Sequence, residues 1–255
     1  MAHNIIRELN RPSIYIGTLG AIINDSSFKT KGNTTPGIFE IFKILKACNT
    51  KEDIYVFLEI SSHALVQRRL CNLLFNQTII LNIQSDHMDY HKTYENYIDS
   101  KLSITKLNNK NPTIIFIDHM HHLIESLSPD QKKQISSSKH LSSKDASALL
   151  NYSFEYYPEG CSKINLNFPN LVLEINVSLF LQFNIDNYIS ALALISDSVS
   201  SNDINCINKS SIKLPQGRGE ILRLKEEKIL IDFAHDHQSF KNILFELSKS
   251  YDEII

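Results

Sequence analysis

Glu59-Ile60-Ser61-Ser62-His63-Ala64-Leu65-Val66-Gln67-Arg68-Arg69 follows directly on the apolar run Ile54-Tyr55-Val56-Phe57-Leu58. A continuous β-rich run that ends in a carboxylate and a Ser-Ser pair predicts a buried parallel strand delivering Glu59 to its C-terminal edge. Ser61 then caps the next helix, which the pattern carries through about Leu74. In open α/β sheets that edge is where ligands bind. A capped helix beside a solvated Glu explains the same stretch without any function, so the choice turns on whether other segments repeat the arrangement.

They do. Thr78-Ile79-Ile80-Leu81-Asn82 leads into Ile83-Gln84-Ser85-Asp86-His87-Met88-Asp89-Tyr90-His91, and Thr113-Ile114-Ile115-Phe116-Ile117 ends in Asp118. Acids and histidines just past a strand end suit a metal or proton handling, and equally plain loop hydrogen bonding. Strand-like runs that each end in polar residues predict an α/β fold with a mostly parallel sheet and flanking helices, with Glu59, Asn82, Asp86 and His87 near one edge. Thr93 reads as the cap of a helix carrying Tyr97 and Lys101.

Upstream, Met1 to Leu9 reads as the end of a charged amphipathic helix, and Ile14-Tyr15-Ile16-Gly17-Thr18-Leu19-Gly20 as a strand entering a glycine-bounded turn. Gly17 and Gly20 are two of only seven glycines, which points to a tight turn or a close approach. Thr35 reads as N-cap and Pro36 as the first position of a helix through Ile38-Phe39-Glu40-Ile41-Phe42-Lys43-Ile44-Leu45. Downstream, Ser126 to Ala148 is rich in Ser and Lys and reads as surface helix and loop. Leu171 to Val177 reads as a strand. Asn184 and Asn187 share the first turn of a helix, where both could meet one ligand. The Asn, Ser and Lys composition of Asn202 to Ser211 marks a boundary. Past it lie the glycine-flanked Arg218, strands at Ile221 to Leu224 and Ile229 to Phe233, and a helix from about Ser239.

The 255 residues can bury a sizeable core, and 42% hydrophobic against 21% charged residues is ordinary for a soluble globular chain. A net charge of -2 gives no electrostatic footprint for nucleic acid or an anionic membrane, so a small anion would have to meet local positive charge. Cys48, Cys71, Cys161 and Cys206 are scattered and signal neither a zinc site nor a disulfide framework. A cytoplasmic location is expected. The apolar stretch from Asn170 to Phe183, broken by Glu174 and Asn176, is too short and too polar for a membrane span.

Ile16-Gly17-Thr18-Leu19-Gly20, Asn33-Thr34-Thr35-Pro36, Glu59-x-Ser61-Ser62-His63-Ala64-Leu65-x-Gln67-x-Arg69, Asp86-His87-x-Asp89-Tyr90-His91, Tyr97-x-x-x-Lys101, Phe183-Asn184-x-x-Asn187, Gly217-Arg218-Gly219-Glu220 and Asp232-Phe233-Ala234-His235 occur in this order. The ordered set resembles the Mur ligases of peptidoglycan synthesis, within them the branch that adds the third amino acid to UDP-N-acetylmuramoyl-L-alanyl-D-glutamate. The resemblance implies that Thr34, Thr35, Ser61, Gln67 and Arg69 contact the muramoyl-dipeptide, as hydroxyls, an amide and a guanidinium suit peptide carbonyls and carboxylates. It implies that Glu59 and His87 ligate Mg2+, with Lys101 as a carbamate; unmodified, Lys101 is a plain helix-face cation. Asn184 and Asn187 fall near the adenine of ATP by the same comparison, and Arg218, Asp232 and His235 approach the nucleotide. The implied reaction activates a carboxylate with ATP, and the acyl phosphate is attacked by the incoming diamino acid.

The departures carry expectations too. The family's phosphate loop, of the form Gly-Thr-Asn-Gly-Lys-Thr, precedes the helix that opens here at Met1, and Asp236-His237-Gln238 replaces the usual Thr-Pro-Asp after His235. The expected layout is a central ATPase domain without its phosphate loop over residues 1–212 and an incomplete C-terminal domain over 213–255. Such a chain is expected to be inactive alone. Two alternatives are a non-catalytic binding module, or one complementing a separately encoded fragment, and part of another amide ligase such as a folate polyglutamate ligase. Gln67-x-Arg69 argues against the last.

Overall fold

The structure is a computed structural model that describes residues 1–48, 52–84, 86–109, 111–157, 161–179, 181–207, 212, 214, 217–224, 227–234 and 237–248. Helix α1 (Ala2–Glu8) opens it and leads to β1 (Ser13–Gly17), β2 (Gly20–Ile23), β3 (Ser26–Phe28), α2 (Ile38–Ala47) and β4 (Tyr55–Leu58). These strands form a sheet ordered β3-β2-β1-β4, in which β4 runs parallel to β1 and the rest antiparallel. Short α3 (Ser62–Val66) leads to β5 (Ile79–Ile80), α4 (Met88–His91), α5 (Tyr94–Leu102), β6 (Ile114–Phe116), α6 (His121–Ser126), α7 (Pro129–Ile135), β7 (Lys139–Ser142), β8 (Leu150–Tyr157), β9 (Cys161–Phe168) and β10 (Leu171–Val177). They make a second sheet ordered β10-β9-β8-β7-β6-β5, parallel from β5 to β8 and antiparallel beyond. Helices α8 (Gln182–Ile195) and α9 (Ser201–Cys206) follow, then the hairpin β11 (Arg218–Leu224) and β12 (Glu227–Asp232) and helix α10 (His237–Ser248).

The α/β class stands, with the parallel ladders at the β4 end of the first sheet and the β5 end of the second, and antiparallel strands at the opposite ends. The largest core joins α1 and α8 to the second sheet through Ile6, Phe116, Tyr152, Phe168 and Tyr188, all at most 1% exposed. A second cluster packs α5 and α7 on the same sheet, and a third packs α2 on β1 and β2.

Four local expectations need correction. The strand ending at Glu59 is not buried: Val56 is 38% exposed, because β4 lies at the edge of its sheet. Helix α3 ends at Val66, not near Leu74, because Arg68 and Asn72 adopt left-handed backbone at φ 52° and 64° and turn the chain back. The N-cap of α2 is Gly37, without a side-chain bond; Thr35 is committed elsewhere. The Ser- and Lys-rich stretch holds an interior strand, β7, between β6 and β8.

The same stretch carries a reciprocal cap. Ser128 accepts from the Gln131 N–H, and Gln131 Oε1 accepts from the Ser128 N–H at 3.0 Å. Ser128→Ala is expected to lower unfolding stability by about 1 kcal/mol, read as a shifted urea midpoint at unchanged slope.

Candidate functional site

Glu59 stands just past β4, where its N–H donates to Ile16 O at 2.9 Å. Its carboxylate accepts the Tyr15 hydroxyl at 2.7 Å and both the N–H and the hydroxyl of Thr18 at 2.9 Å. Gly17 lets this clamp close, since a Cβ there would stand 2.5 Å from the Glu59 carboxyl carbon. Burial, and then the Glu59 carboxylate, push the Tyr15 phenol well above its ordinary pKa, so it remains a donor. Sequence reasoning missed Tyr15 and Thr18 as partners of Glu59. The available signal was a hydroxyl between two of a few glycines.

Thr35 is fully buried. Its hydroxyl accepts the Ser61 N–H and donates to Glu59 O, both at 2.8 Å, which satisfies two backbone groups left open where β4 ends. That long-range pairing outweighs the local cap. Ser61 caps α3 as expected, accepting the Ala64 N–H at 3.2 Å. Arg69, turned back by the left-handed Arg68, donates from Nη1 to Thr35 O and from Nε to Gln67 Oε1, each at 2.9 Å. Gln67 in turn donates to the Tyr90 hydroxyl at 3.2 Å, and Thr34 Oγ1 lies 3.3 Å from Thr18 Oγ1. The five residues assigned to the muramoyl-dipeptide by resemblance thus border one hydrogen-bonded network that includes Glu59.

His87 takes left-handed backbone at φ 55°, and its exposed ring lies 3.4 Å from Asp86 Oδ2. The ring packs against His63 at 4.8 Å, and His63 packs on Tyr90 at 4.1 Å and on His91 at 5.7 Å. His91 Nε2 sits 2.9 Å from Ser62 Oγ, and burial followed by the neighbouring His63 and His87 lowers its pKa. Lys101 projects from α5 with Nζ 5.5 Å from the Tyr97 ring centroid. Burial lowers its pKa, opposed by the charge of Asp86. A cavity of about 1200 Å³ is bordered by Asn82, Asp86, Lys101, Asp118 and His119, and one of about 950 Å³ by Thr34, Glu59, Asn82 and Lys101. Asn82 and Lys101 line both. His87 borders neither, so the four residues expected at one edge divide between two cavities and the His63 cluster. Among the described residues, the acids and histidines close enough to share one ion are His121, His122 and Glu125, all exposed, and neither Glu59 nor His87 joins them.

At the far end, Asn184 is buried beneath Gly219, where a Cβ would stand 2.6 Å from Asn184 Nδ2. Asp232 accepts the N–H of Gly219 and of Ala234, both at 2.8 Å. Arg218 is exposed, with its guanidinium 5.2 Å from the Phe233 ring centroid, and Asn187 is exposed on α8. Asn184, Gly219 and Asp232 therefore come together, whereas Asn187 points into solvent. His235 lies outside the described residues. Of two further acids, Asp186 is not singled out in the sequence and Asp118 reads there only as the acid that ends a strand. Buried Asp186 accepts the Tyr152 hydroxyl at 2.7 Å and lies 3.2 Å from His119 Nε2, while Asp118 is held by the hydroxyls of Ser142 and Ser143. No helix among the described residues is long and apolar enough to cross a membrane.

Comparison with known proteins gives a consistent picture. The Mur ligase middle domain family matches residues 1–195. A curated UDP-N-acetylmuramoyl-L-alanyl-D-glutamate--2,6-diaminopimelate ligase from Helicobacter pylori (strain J99) is 39% identical over 106 residues, covering 42% of this chain and 24% of that protein. The ligase of the same name from Buchnera aphidicola subsp. Baizongia pistaciae is 31% identical over 263 residues, covering 93% and 47%. A solved structure of a ligase with this name superposes with a TM-score of 0.74 at 24% identity, covering 97% of this chain and 50% of that one. A folylpolyglutamate synthase from Thermotoga maritima superposes at 0.64 with 14% identity, covering 98% and 63%. The chain spans about half the length of curated relatives that it matches along most of its own length.

Proposed function

The chain belongs to the Mur ligase family, and from that premise we propose that it carries the central part of an ATP-dependent ligase adding a diamino acid to UDP-N-acetylmuramoyl-L-alanyl-D-glutamate. Residues 1–212 form the central domain in this reading and 213–255 belong to a second one. The observation that carries it is the network joining Glu59, Thr34, Thr35, Ser61, Gln67 and Arg69 at the strand end. Arg69 has a planar fork suited to a substrate carboxylate, and the hydroxyls suit peptide carbonyls. The same Arg69 and Gln67 favour the muramoyl-peptide reading over a folate polyglutamate ligase, whose solved examples share the fold.

In this reading Asn184 and Asp232 stand toward ATP, with Arg218 as an exposed cation and Asn187 and His235 completing the set by resemblance. Glu59 and His87 offer ligands for Mg2+, which supplies charge neutralisation at a transferring phosphoryl group. Among the described residues no group of three acids and histidines includes Glu59 or His87, so in this reading Lys101 as a carbamate would supply a further oxygen ligand. Its burial fits this, because only the neutral amine reacts with carbon dioxide and burial favours the neutral amine.

Calorimetric titration with UDP-N-acetylmuramoyl-L-alanyl-D-glutamate tests the substrate assignment: binding is expected, and Arg69→Met should weaken it roughly tenfold or more. No heat of binding, or full affinity in the variant, would sink it. For Lys101, 13C-labelled bicarbonate should produce one carbamate carbonyl resonance that Lys101→Arg removes. A spectrum unchanged by the substitution would exclude the modification at this position.

A further inference from the structure

Helix α6 carries three metal-ligand side chains on its outward face, apart from the network at the end of β4. Its apolar residues follow the helical period. Met120, Leu123, Ile124 and Leu127 pack into the cluster on α5 and α7, which leaves His121, His122 and Glu125 exposed. Main-chain bonds fix the turn beneath them: the Met120 N–H donates to Ile117 O at 2.9 Å, and the Ile124 N–H to Met120 O at 2.8 Å. Adjacent residues diverge around a helix, but Glu125 stands four positions past His121 and three past His122, so its carboxylate reaches toward both.

The distances agree with that spacing. His121 Nδ1 lies 3.7 Å from Glu125 Oε1, and one ligand atom from each of the three residues falls within 4.8 Å of the other two. Ligands on one tetrahedral ion stand about 3.4 Å apart, given bonds of about 2.0–2.1 Å. Rotation of exposed side chains closes that difference. The two imidazole rings stand at 82° with centroids 5.8 Å apart, so they offer separate nitrogens instead of stacking. Lys132 Nζ donates to Glu125 O at 2.9 Å, a bond to the main chain that does not occupy the carboxylate.

We propose that His121, His122 and Glu125 form a binding site for one divalent transition ion such as Zn2+, held by two imidazole nitrogens and a carboxylate oxygen, with water in the remaining position. Imidazole ligands suit Zn2+, Ni2+ or Cu2+, whereas Mg2+ takes oxygen ligands. The site is thus separate in residues and in chemistry from Glu59 and His87, neither of which joins the group. His121 and His122 also border the cavity of about 1200 Å³, so the ion stands at its rim.

Calorimetric titration of the whole chain with ZnCl2 in excess Mg2+ should show a step of one equivalent, and the ring nitrogens of His121 and His122 should shift together in side-chain 1H–15N spectra. His121→Ala, His122→Ala and Glu125→Ala each remove one ligand and should weaken binding roughly tenfold or more. Alanine is the strongest helix former and the three side chains are exposed, so each variant should keep the metal-free thermal midpoint. Zn2+ should raise that midpoint in the parent chain and not in the variants. The proposal is overturned if no Zn2+ binds, if Mg2+ displaces it, or if full affinity survives in any of the three variants, which would place the ion elsewhere, as at the exposed thiols of Cys71 and Cys206.

Discussion

Gly20→Ala is expected to destabilise the chain by about 3 kcal/mol, whereas Gly17→Ala, three positions away on the same hairpin, should leave stability nearly intact and damage the site. Gly20 has φ +91°, where a side chain is strained whatever the space, and a Cβ there would stand 2.6 Å from the carbonyl oxygen of Phe28. That oxygen is backbone held in the β2–β3 ladder, where Ala21 faces Phe28, so relief requires the ladder to open. Gly17 has no such backbone obstacle. Its Cβ would meet the ends of two flexible side chains, the Tyr15 hydroxyl and the Glu59 carboxylate. Those ends swing away cheaply, and the three-donor clamp on Glu59 is lost with them. Urea denaturation separates the two variants by stability. The Thr18 amide proton, which donates to Glu59 at 2.9 Å, should shift in Gly17→Ala. Equal stability losses in the two variants would refute this division of roles.

The same two glycines show how much of the fold is legible in the sequence. Their scarcity marked a tight turn and a close approach, but Glu59, the group approaching Gly17, lies 42 positions further on and leaves no local trace. Strands ending in polar residues were readable because burial on both faces forces apolar runs, as in Ile114, Ile115 and Phe116. Strand β7 was hidden for the converse reason. Lys139, His140 and Ser142 look like surface, and buried Ser142 has its hydroxyl satisfied by Asp118, which comes from another segment. Thr35 misled in a similar way: beside Pro36 it satisfies every local rule for a cap, yet its hydroxyl is used by backbone groups of Glu59 and Ser61. The end of α3 was unreadable because Arg68 takes a left-handed conformation without being a glycine. At the candidate site the residue types were legible and their partition was not. Which polar groups share a cavity depends on where loops turn after the strands, and Asp86 and Glu59 end up bordering different cavities on either side of Lys101.

Stability should fall steeply above pH 10, and tyrosines dominate that loss. Burial, followed in each case by a nearby acid, raises the pKa of Tyr15 beside Glu59, Tyr97 beside Asp86, Tyr152 beside Asp186 and Tyr188 beside Glu8. Their ordinary value is 10.0, and Tyr97 is pushed up to about 12. With a folded pKa above the unfolded one, each phenol contributes stability that is fully present below pH 10. Above it the unfolded chain sheds protons that the fold retains, and the contribution drains away through about pH 12 for Tyr97 and still higher for the other three. Each proton of difference costs up to about 1.4 kcal/mol per pH unit, so several tyrosines acting together outweigh the glycine effects. Buried His3 and His91 act at the other end, where lowered pKa values remove stability as pH falls below 6.5. Urea midpoints measured at intervals from about pH 9 to about pH 11.5 should drop with increasing slope, and Tyr97→Phe should make that slope shallower, because a phenylalanine has no proton to lose. A midpoint that stays flat through this range would mean that these phenols ionise in the fold as readily as in the unfolded chain, and that the acids beside them are not close enough to matter.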